Sequence, residues 1–413
     1  MSPGWEKRLS FYYGWVIFGI TFLIYMFMYA LRYSVGIFFE PIRNEFGWTN
    51  AMTASGVTIF FWTYAFSAPF IGQLARKIGV RRTVFFGGLL LGGGGVILSQ
   101  INALWQLYLA WGVIASLGSV ALYIVPTMVL SKFFIKKRGS AVGWSSMGVS
   151  AGQALIIPQI AKLIPSWGWR PSMLLLGIMV ICTTSVLGWL FLRENPEELG
   201  LFPDGADSPP DDNAKGNGGV DWSPKEAAGN WSFRLIAFSY FFSMGGIISI
   251  MTFVVPHMIN IGIPPIQASG AFGIIGVMSA TGSFLFGFVS DRFGRKLTII
   301  ITTGLLAITF GVATVIPSDL TFLYAWTVLY GLSYGGAPEQ YAAIVTDYFG
   351  TTHNTTLFGL VTLVGGIGGG LFPLLGGWLV DQTESYYATL LLLAVGMALA
   401  ACIAFLTKEP KRL

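Results

Sequence analysis

A single arginine stands deep inside a long apolar run. Arg32, in the segment YALRYS, lies about 17 residues beyond Trp15 and so roughly 25 Å further along a helix. A guanidinium at that depth in a bilayer costs about 2.5 kcal/mol or more unless it meets water or an anion. Its donors form a planar fork that matches two carboxylate oxygens, so Arg32 is the first candidate for holding an organic anion. The competing reading is a side chain that snorkels to the outer headgroups or pairs with a backbone carbonyl. Glu339, in GLSYGGAPEQYAAIV, is the acid placed well inside an apolar run. A carboxyl so enclosed is able to take and release a proton, although an ion pair with a basic residue near the inner surface fits its surroundings as well. Pro338 and Gly336 beside it point to a locally broken helix that water reaches. His257, in VVPHMIN, is a residue type whose ordinary pKa lies near neutral pH and is a candidate for outer gating, the alternative being a solvated side chain at the water interface. The pairs Tyr29 with Tyr33 and Tyr330 with Tyr334 are spaced i,i+4 and share one helix face.

These residues need elements to position them, and the composition defines the kind. Of 413 residues, 54% are hydrophobic and only 10% charged, with mean hydropathy +0.68. A soluble chain of this length carries roughly a quarter charged residues, whereas lipid-facing helices exclude charge from most of their surface. Spanning a bilayer takes about 20 apolar residues. Stretches of that length lie near 14–38, 51–74, 84–102, 105–130, 140–163, 171–192, 233–256, 266–290, 297–316, 319–345, 355–380 and 384–406. The expected fold is an all-α membrane protein of twelve transmembrane helices. Runs this long without ten-residue alternation do not suit a barrel.

With the amino terminus inside, 20 of the 24 Lys and Arg fall on the inner face, including Lys7, Arg8, Lys136, Lys137, Arg138 and Lys411. Only Arg43, Lys162 and Arg170 fall outside. This asymmetry predicts that both termini are cytoplasmic. The excess of basic over acidic residues sits in short hinges and carries no nucleic-acid footprint. The polar stretch 193–232, with its PPDD and GNGG segments, reads as a cytoplasmic linker between an N-terminal bundle, 1–192, and a C-terminal bundle, 233–413. Cys182 and Cys402 both fall inside spans, which excludes a disulfide framework, and two Cys with two His are too few for a zinc site. The glycine clusters Gly92 to Gly95 and Gly365 to Gly370 lie mid-span and suit helix contact. No GK[ST] phosphate loop exists to hydrolyse ATP, and no cofactor is called for.

Two decapeptides 215 positions apart, GQLARKIGVR from Gly72 and GFVSDRFGRK from Gly287, form matching charged hinges between apolar runs. Gly287, Asp291, Arg292, Gly294, Arg295 and Lys296 resemble the signature between helices 8 and 9 of the major facilitator superfamily. Gly72, Gly79, Arg81 and Arg82 resemble its partner between helices 2 and 3. The resemblance covers nearly the whole chain and implies two pseudo-symmetric six-helix bundles that rock about a central site. Glycine in these hinges is expected to permit close helix approach, while the basic residues fix them at the headgroups. The first copy carries Arg76 where the family has an acid, so the charge network that acid belongs to, which holds the outward-open state, is weaker or differently paired. A narrower likeness, FFIKKRGSAVGWSSMG from Phe133, is similar to the helix 4 to 5 signature of the monocarboxylate-transporter group, and Gly14 with Trp15 echoes that group's first motif.

The resemblance implies that helices 1, 4, 7 and 10 line the cavity, which makes Tyr29, Tyr33, Tyr123, Tyr330 and Tyr334 candidates for its wall, with Gln153 and Asn260 as further polar members. It also exposes departures. Ser279 and Ser283 stand where the group places an Asp and an Arg in helix 8, and Tyr33, next to Arg32, stands at its helix 1 Lys. The expected activity is secondary active transport of a small organic anion, a monocarboxylate, across the plasma (inner) membrane by a monomer, with proton coupling or exchange. The alternative is an exporter of drugs or neutral metabolites, which the two serines and the many aromatic residues favour. An intramembrane enzyme would need a metal cluster, a paired acid site or a Ser and His pair at plausible depth, none of which the sequence offers.

Overall fold

The structure is a computed structural model that describes residues 12–135, 137–205, 222–317, 319–350 and 353–410. Lys7, Arg8, Lys136, Lys411 and the PPDD and GNGG segments lie outside the described residues. Eleven helices are long and apolar enough to cross a membrane. They are α1 Gly14–Phe46, α2 Asn50–Ile78, α3 Val80–Leu98, α4 Leu104–Phe133, α5 Ser140–Trp167, α6 Trp169–Phe191, α7 Trp231–Asn260, α8 Pro265–Phe293, α9 Arg295–Ala313, α11 Thr356–Thr383 and α12 Tyr387–Leu406. The twelfth, α10, comes in two pieces, Leu320–Gly336 and Pro338–Phe349, with the break at the Gly336 and Pro338 pair. Proline brings no N–H, so the helical ladder is interrupted there.

The first span runs further than its apolar stretch. It bends at Ser34, whose hydroxyl bonds the Leu31 carbonyl at 2.7 Å, and continues to Phe46. Hydropathy stops near residue 38, but the Glu40–Arg43 ion pair at 2.8 Å, spaced i,i+3, supports further turns.

The two sets of six helices pack by the same rule. In the first, α1 lies on α5, α2 on α4, and α3 on α6; in the second, α7 lies on α11, α8 on α10, and α9 on α12. The hinges repeat this identity at single-residue resolution. Gly79 and Gly294 have φ of 90° and 93° with ψ of 151° and 153°, a conformation closed to side chains bearing a Cβ without strain. Two six-helix bundles of one design result.

The bundles meet along α2 with α11 and α5 with α8, and through the last turns of α1 on α7. Small residues permit this, as lipid offers no hydrophobic drive between helices. A Cβ on Gly366 would stand 2.5 Å from that of Ala65, and one on Gly370 2.6 Å from the Trp62 ring. Inside the first bundle a Cβ on Gly92 would stand 2.5 Å from the Gly177 carbonyl oxygen. The cross-bundle hydrogen bonds among the described residues join Asn50 and Ala51 to Asp381, Thr58 to Gly370, Trp62 to Ile367, Tyr33 to Tyr334, Ser150 to Ser279, Gln153 to Phe272 and to the Met251 sulfur, and Tyr386 to Glu40. All lie from mid-span towards the end remote from the chain termini. The bundles are therefore sealed at that end.

At the opposite end, a Cβ on Gly72 or Gly287 would meet nothing within 4 Å. The expected close helix approach at these two glycines is not seen, because the hinge ends have no packed neighbour in this state. The stretch after α6 is also more structured than its polarity suggests. Arg193 is buried and donates to the Leu190 and Leu192 carbonyls at 3.0 Å, while Asp204 accepts from the Ile135 and Lys137 backbones. A short helix, Pro224–Gly229, precedes α7, capped by Ser223 and Glu226. Side chain to backbone bonds of this kind leave no apolar period to read.

Candidate functional site

Arg32 sits on α1 just before the Ser34 bend, and α2 supplies its surroundings. Its guanidinium carbon lies 4.8 Å from the ring centres of Phe61 and Tyr64, 5.2 Å from Tyr29 and 5.7 Å from Phe60. Among the described residues no carboxylate pairs with it, and Nε has no hydrogen-bond partner. Aromatic faces contribute about 0.5 to 2 kcal/mol each to a desolvated cation. They offset the cost of the site, with the Tyr64 hydroxyl in hydrogen-bonding reach of the guanidinium and Nε left without a partner. The side chain is thus neither at the remote surface nor bonded to a backbone carbonyl. A void of about 10 Å³ beside it, bounded by Val57, Trp111 and Met251, has room for one water.

The Tyr33 and Tyr334 hydroxyls hydrogen-bond across the bundles at 2.9 Å, next to Arg32. This bond forms part of the mid-span seal. Tyr123 on α4 is exposed and stacks on Tyr25 at 5.6 Å, and it falls within electrostatic reach of Tyr29, Tyr64 and Tyr240. Tyr64 and Tyr240 likewise sense Arg32 and Tyr29. Phenols from α1, α2 and α7 therefore lie about one guanidinium, and Tyr123 of α4 joins the phenols rather than the cation. Tyr330 does not join them. It is fully buried between Trp326, with rings parallel within 5° at 5.3 Å, and Tyr334.

Glu339 begins the second piece of α10, exposed at the surface yet beside Ser283 of α8. No Lys or Arg pairs with it among the described residues. The α10 break sets it here, since the Ser283 hydroxyl donates to the Gly335 carbonyl at 2.7 Å just before the break. The other α8 serine, Ser279, bonds Ser150 across the bundles at 2.9 Å. In place of a buried charge pair, α8 presents two neutral hydroxyls. Gln153 reaches the Phe272 carbonyl from a wide π-helical turn at Gly152–Ile156.

His257 is buried rather than solvated: its Nε2 faces the Ala313 carbonyl at 3.2 Å and its ring meets Tyr386 edge-on at 5.6 Å. Proximity to a helix end concealed that α9 and the α11–α12 turn fold over it. It backs Tyr386, whose hydroxyl crosses to Glu40 at 3.3 Å. Asn260 lines a vestibule of about 420 Å³ with Glu40, Arg43, Asp381 and Glu384.

The two hinge copies are wired differently. In the second, Arg295 binds Asp291 at 2.7 Å and approaches Asp347 at 3.5 Å, while also donating to Ser290. Arg292 lies near the Phe293 ring instead. In the first, Arg81 donates to the Leu192 carbonyl at 2.7 Å, and Arg76 is exposed with no ion-pair partner among the described residues.

Two like bundles of six spans, sealed at one end around a central polar group, define a membrane transporter. The comparisons give its family. A model of the Major Facilitator Superfamily matches residues 21–279 and 236–413, and the chain belongs to that superfamily. It is similar to monocarboxylate transporter 12 of Rattus norvegicus, 24% identical over 97% of this chain and 86% of that protein. Monocarboxylate transporter 11 of Homo sapiens is 26% identical over 92% of this chain and 80% of that protein. Among solved structures, a D-xylose-proton symporter superposes with TM-score 0.77 at 14% identity, covering 96% and 98% of the two chains. A bacterial homologue of the lysosomal transporter Spinster, inward-facing and occupied, gives 0.75 at 17% identity, covering 97% of each. The protein is thus a multi-pass membrane transporter and not an enzyme.

Proposed function

We propose that the protein moves a small organic anion, a monocarboxylate, across the plasma membrane by alternating access, with both termini cytoplasmic. In that orientation the state described is closed outside. The observation that carries this reading is Arg32, a cation among aromatic faces with no acid to neutralise it. No other Lys or Arg lies within a span by the sequence reading, so one negative charge satisfies the site. The similarity to monocarboxylate transporters supports the same class. Arg32→Gln should abolish saturable uptake of labelled short-chain acids in proteoliposomes. Unchanged uptake and affinity would remove the anion assignment.

Proton coupling is assigned to Glu339, which lacks a cationic partner and sits at the α10 break beside Ser283. Glu339→Gln should retain exchange of internal for external substrate but lose accumulation under an imposed pH gradient; accumulation that persists assigns the coupling elsewhere. A second reading, export of neutral aromatic compounds, is favoured by the phenol cluster and by Ser279 and Ser283 on α8. A labelled neutral aromatic transported equally well by Arg32→Gln and by the parent would support it.

A further inference from the structure

We propose that Asp381 is the latch of the closed outer end, and that its bonds must break each time the transporter opens outward. The residue ends α11 in the second bundle, yet all three of its hydrogen bonds reach the first. One carboxylate oxygen accepts from the Asn50 backbone N–H at 2.7 Å and from its side-chain amide at 2.8 Å. The other accepts from the Ala51 N–H at 2.8 Å. Asn50 and Ala51 open α2, so a carboxylate from one bundle caps the positive end of a helix in the other. Thr49, the residue before α2, accepts from the Met52 N–H as its own cap, and its hydroxyl lies against the same carboxylate.

Neighbouring contacts aim this cap. A Cβ on Gly377, one turn earlier on α11, would come within 2.8 Å of the Asn50 backbone, so only glycine lets α11 approach closely enough. From Asn50 the chain of contacts continues: Arg43 donates to the Asn50 side-chain oxygen at 3.0 Å and to Glu40 at 2.8 Å, and Glu40 accepts from Tyr386. The circuit crosses the bundle boundary twice, at Asp381 and at Tyr386. Each of these cross-boundary bonds joins one bundle to the other and none lies within a bundle.

Rocking about the centre must part these groups, because they lie at the extreme outer ends of α1, α2 and α11. The vestibule above them supplies water to whatever groups are released, which makes the latch reversible. Charge-assisted bonds are the stronger kind, and a helix end is a ready anion site. The energy of the latch therefore appears only in the outward-closed state, which is the condition for it to bias the equilibrium.

Spin labels at Lys162→Cys and Ile266→Cys, on the outer ends of α5 and α8 and away from the latch, report outer separation in a Cys182→Ser, Cys402→Ser background. Double electron–electron resonance in lipid nanodiscs without substrate should show one short-distance population for the parent. Asp381→Asn and Asp381→Ala should raise the long-distance, outward-open fraction about tenfold, as expected for loss of a hydrogen bond to a charged group. Tyr386→Phe should raise it by a smaller factor. Glu384→Gln, which lines the same vestibule, should leave it unchanged. Distributions for Asp381→Asn and Asn50→Ala that coincide with the parent, in monodisperse protein, would overturn the latch, as would an equal rise in Glu384→Gln. Asn50→Ala keeps the carboxylate and so tests the proposal even if Asp381→Ala fails to fold. Because no substrate is used, the result is independent of the role given to Arg32.

Discussion

At the scale of the residue, Arg32 balances two terms. The cost of a guanidinium in the membrane interior is offset by four aromatic faces, while among the described residues no acid pairs with it and Nε has no partner. A planar group fits between rings where a tetrahedral ammonium does not. Arg32→Lys should therefore keep the charge but raise the uptake KM about tenfold, because the bidentate fork and the stacking are both lost. Tyr64→Phe keeps the ring and removes only the hydroxyl, so its KM should rise less than that of Tyr64→Ala; transport assays of the three variants separate ring from hydroxyl. Arg32 was legible in the sequence because a charge in an apolar run has few explanations. Tyr64 and Tyr240 were not, since FWTYAF and FSYFFS carry no periodic signal and their meeting depends on how α2 and α7 approach α1. Asp381 was hidden for another reason: it stands just past the end of an apolar stretch, where an acid looks like any loop residue. Its partner Asn50 is 331 positions away.

At the scale of the element, the hinge glycines divide into two kinds that the sequence writes alike. Gly79 and Gly294 hold positive φ, whereas Gly72 and Gly287 are helical and face open space. Gly79→Ala or Gly294→Ala should cost about 1 to 3 kcal/mol, the strain of placing a Cβ in that region. Gly72→Ala or Gly287→Ala should be neutral or stabilising, since alanine is the better helix former. Thermal unfolding of detergent-purified variants, followed by intrinsic fluorescence, checks the ordering. Spans, hinges and the α10 break were all readable because hydropathy, glycine and proline act locally. The extension of α1 to Phe46 was not, because it rests on an ion pair and on packing against α7 rather than on apolar length.

At the scale of the whole molecule, the proposed rocking makes both ends report one equilibrium, on which Arg76 is expected to act from the end opposite Asp381. Along the bundle interface α2 runs antiparallel to α11: Asn50 meets Gly377, Thr58 meets Gly370, Trp62 meets Ile367, and Ala65 meets Gly366. Continued from Ala65 and Gly366 at a helical rise of about 1.5 Å per residue on both helices, this brings Arg76 opposite the start of α11, beside Thr356, once the inner ends close. A helix start carries positive potential, so an arginine there opposes closure where an acid would favour it. Arg76→Asp should therefore raise the inner-closed, outward-open fraction, read with the same outer labels, by about fivefold for a gain near 1 kcal/mol. Since Arg76 and Asp381 sit at opposite ends of the interface and share no partner, their free energies should add. The population ratio of the double variant Arg76→Asp, Asp381→Asn should then be the product of the two single shifts. A double variant that falls well short of that product would mean that the two ends do not report one motion, and the halves would have to bend rather than rock.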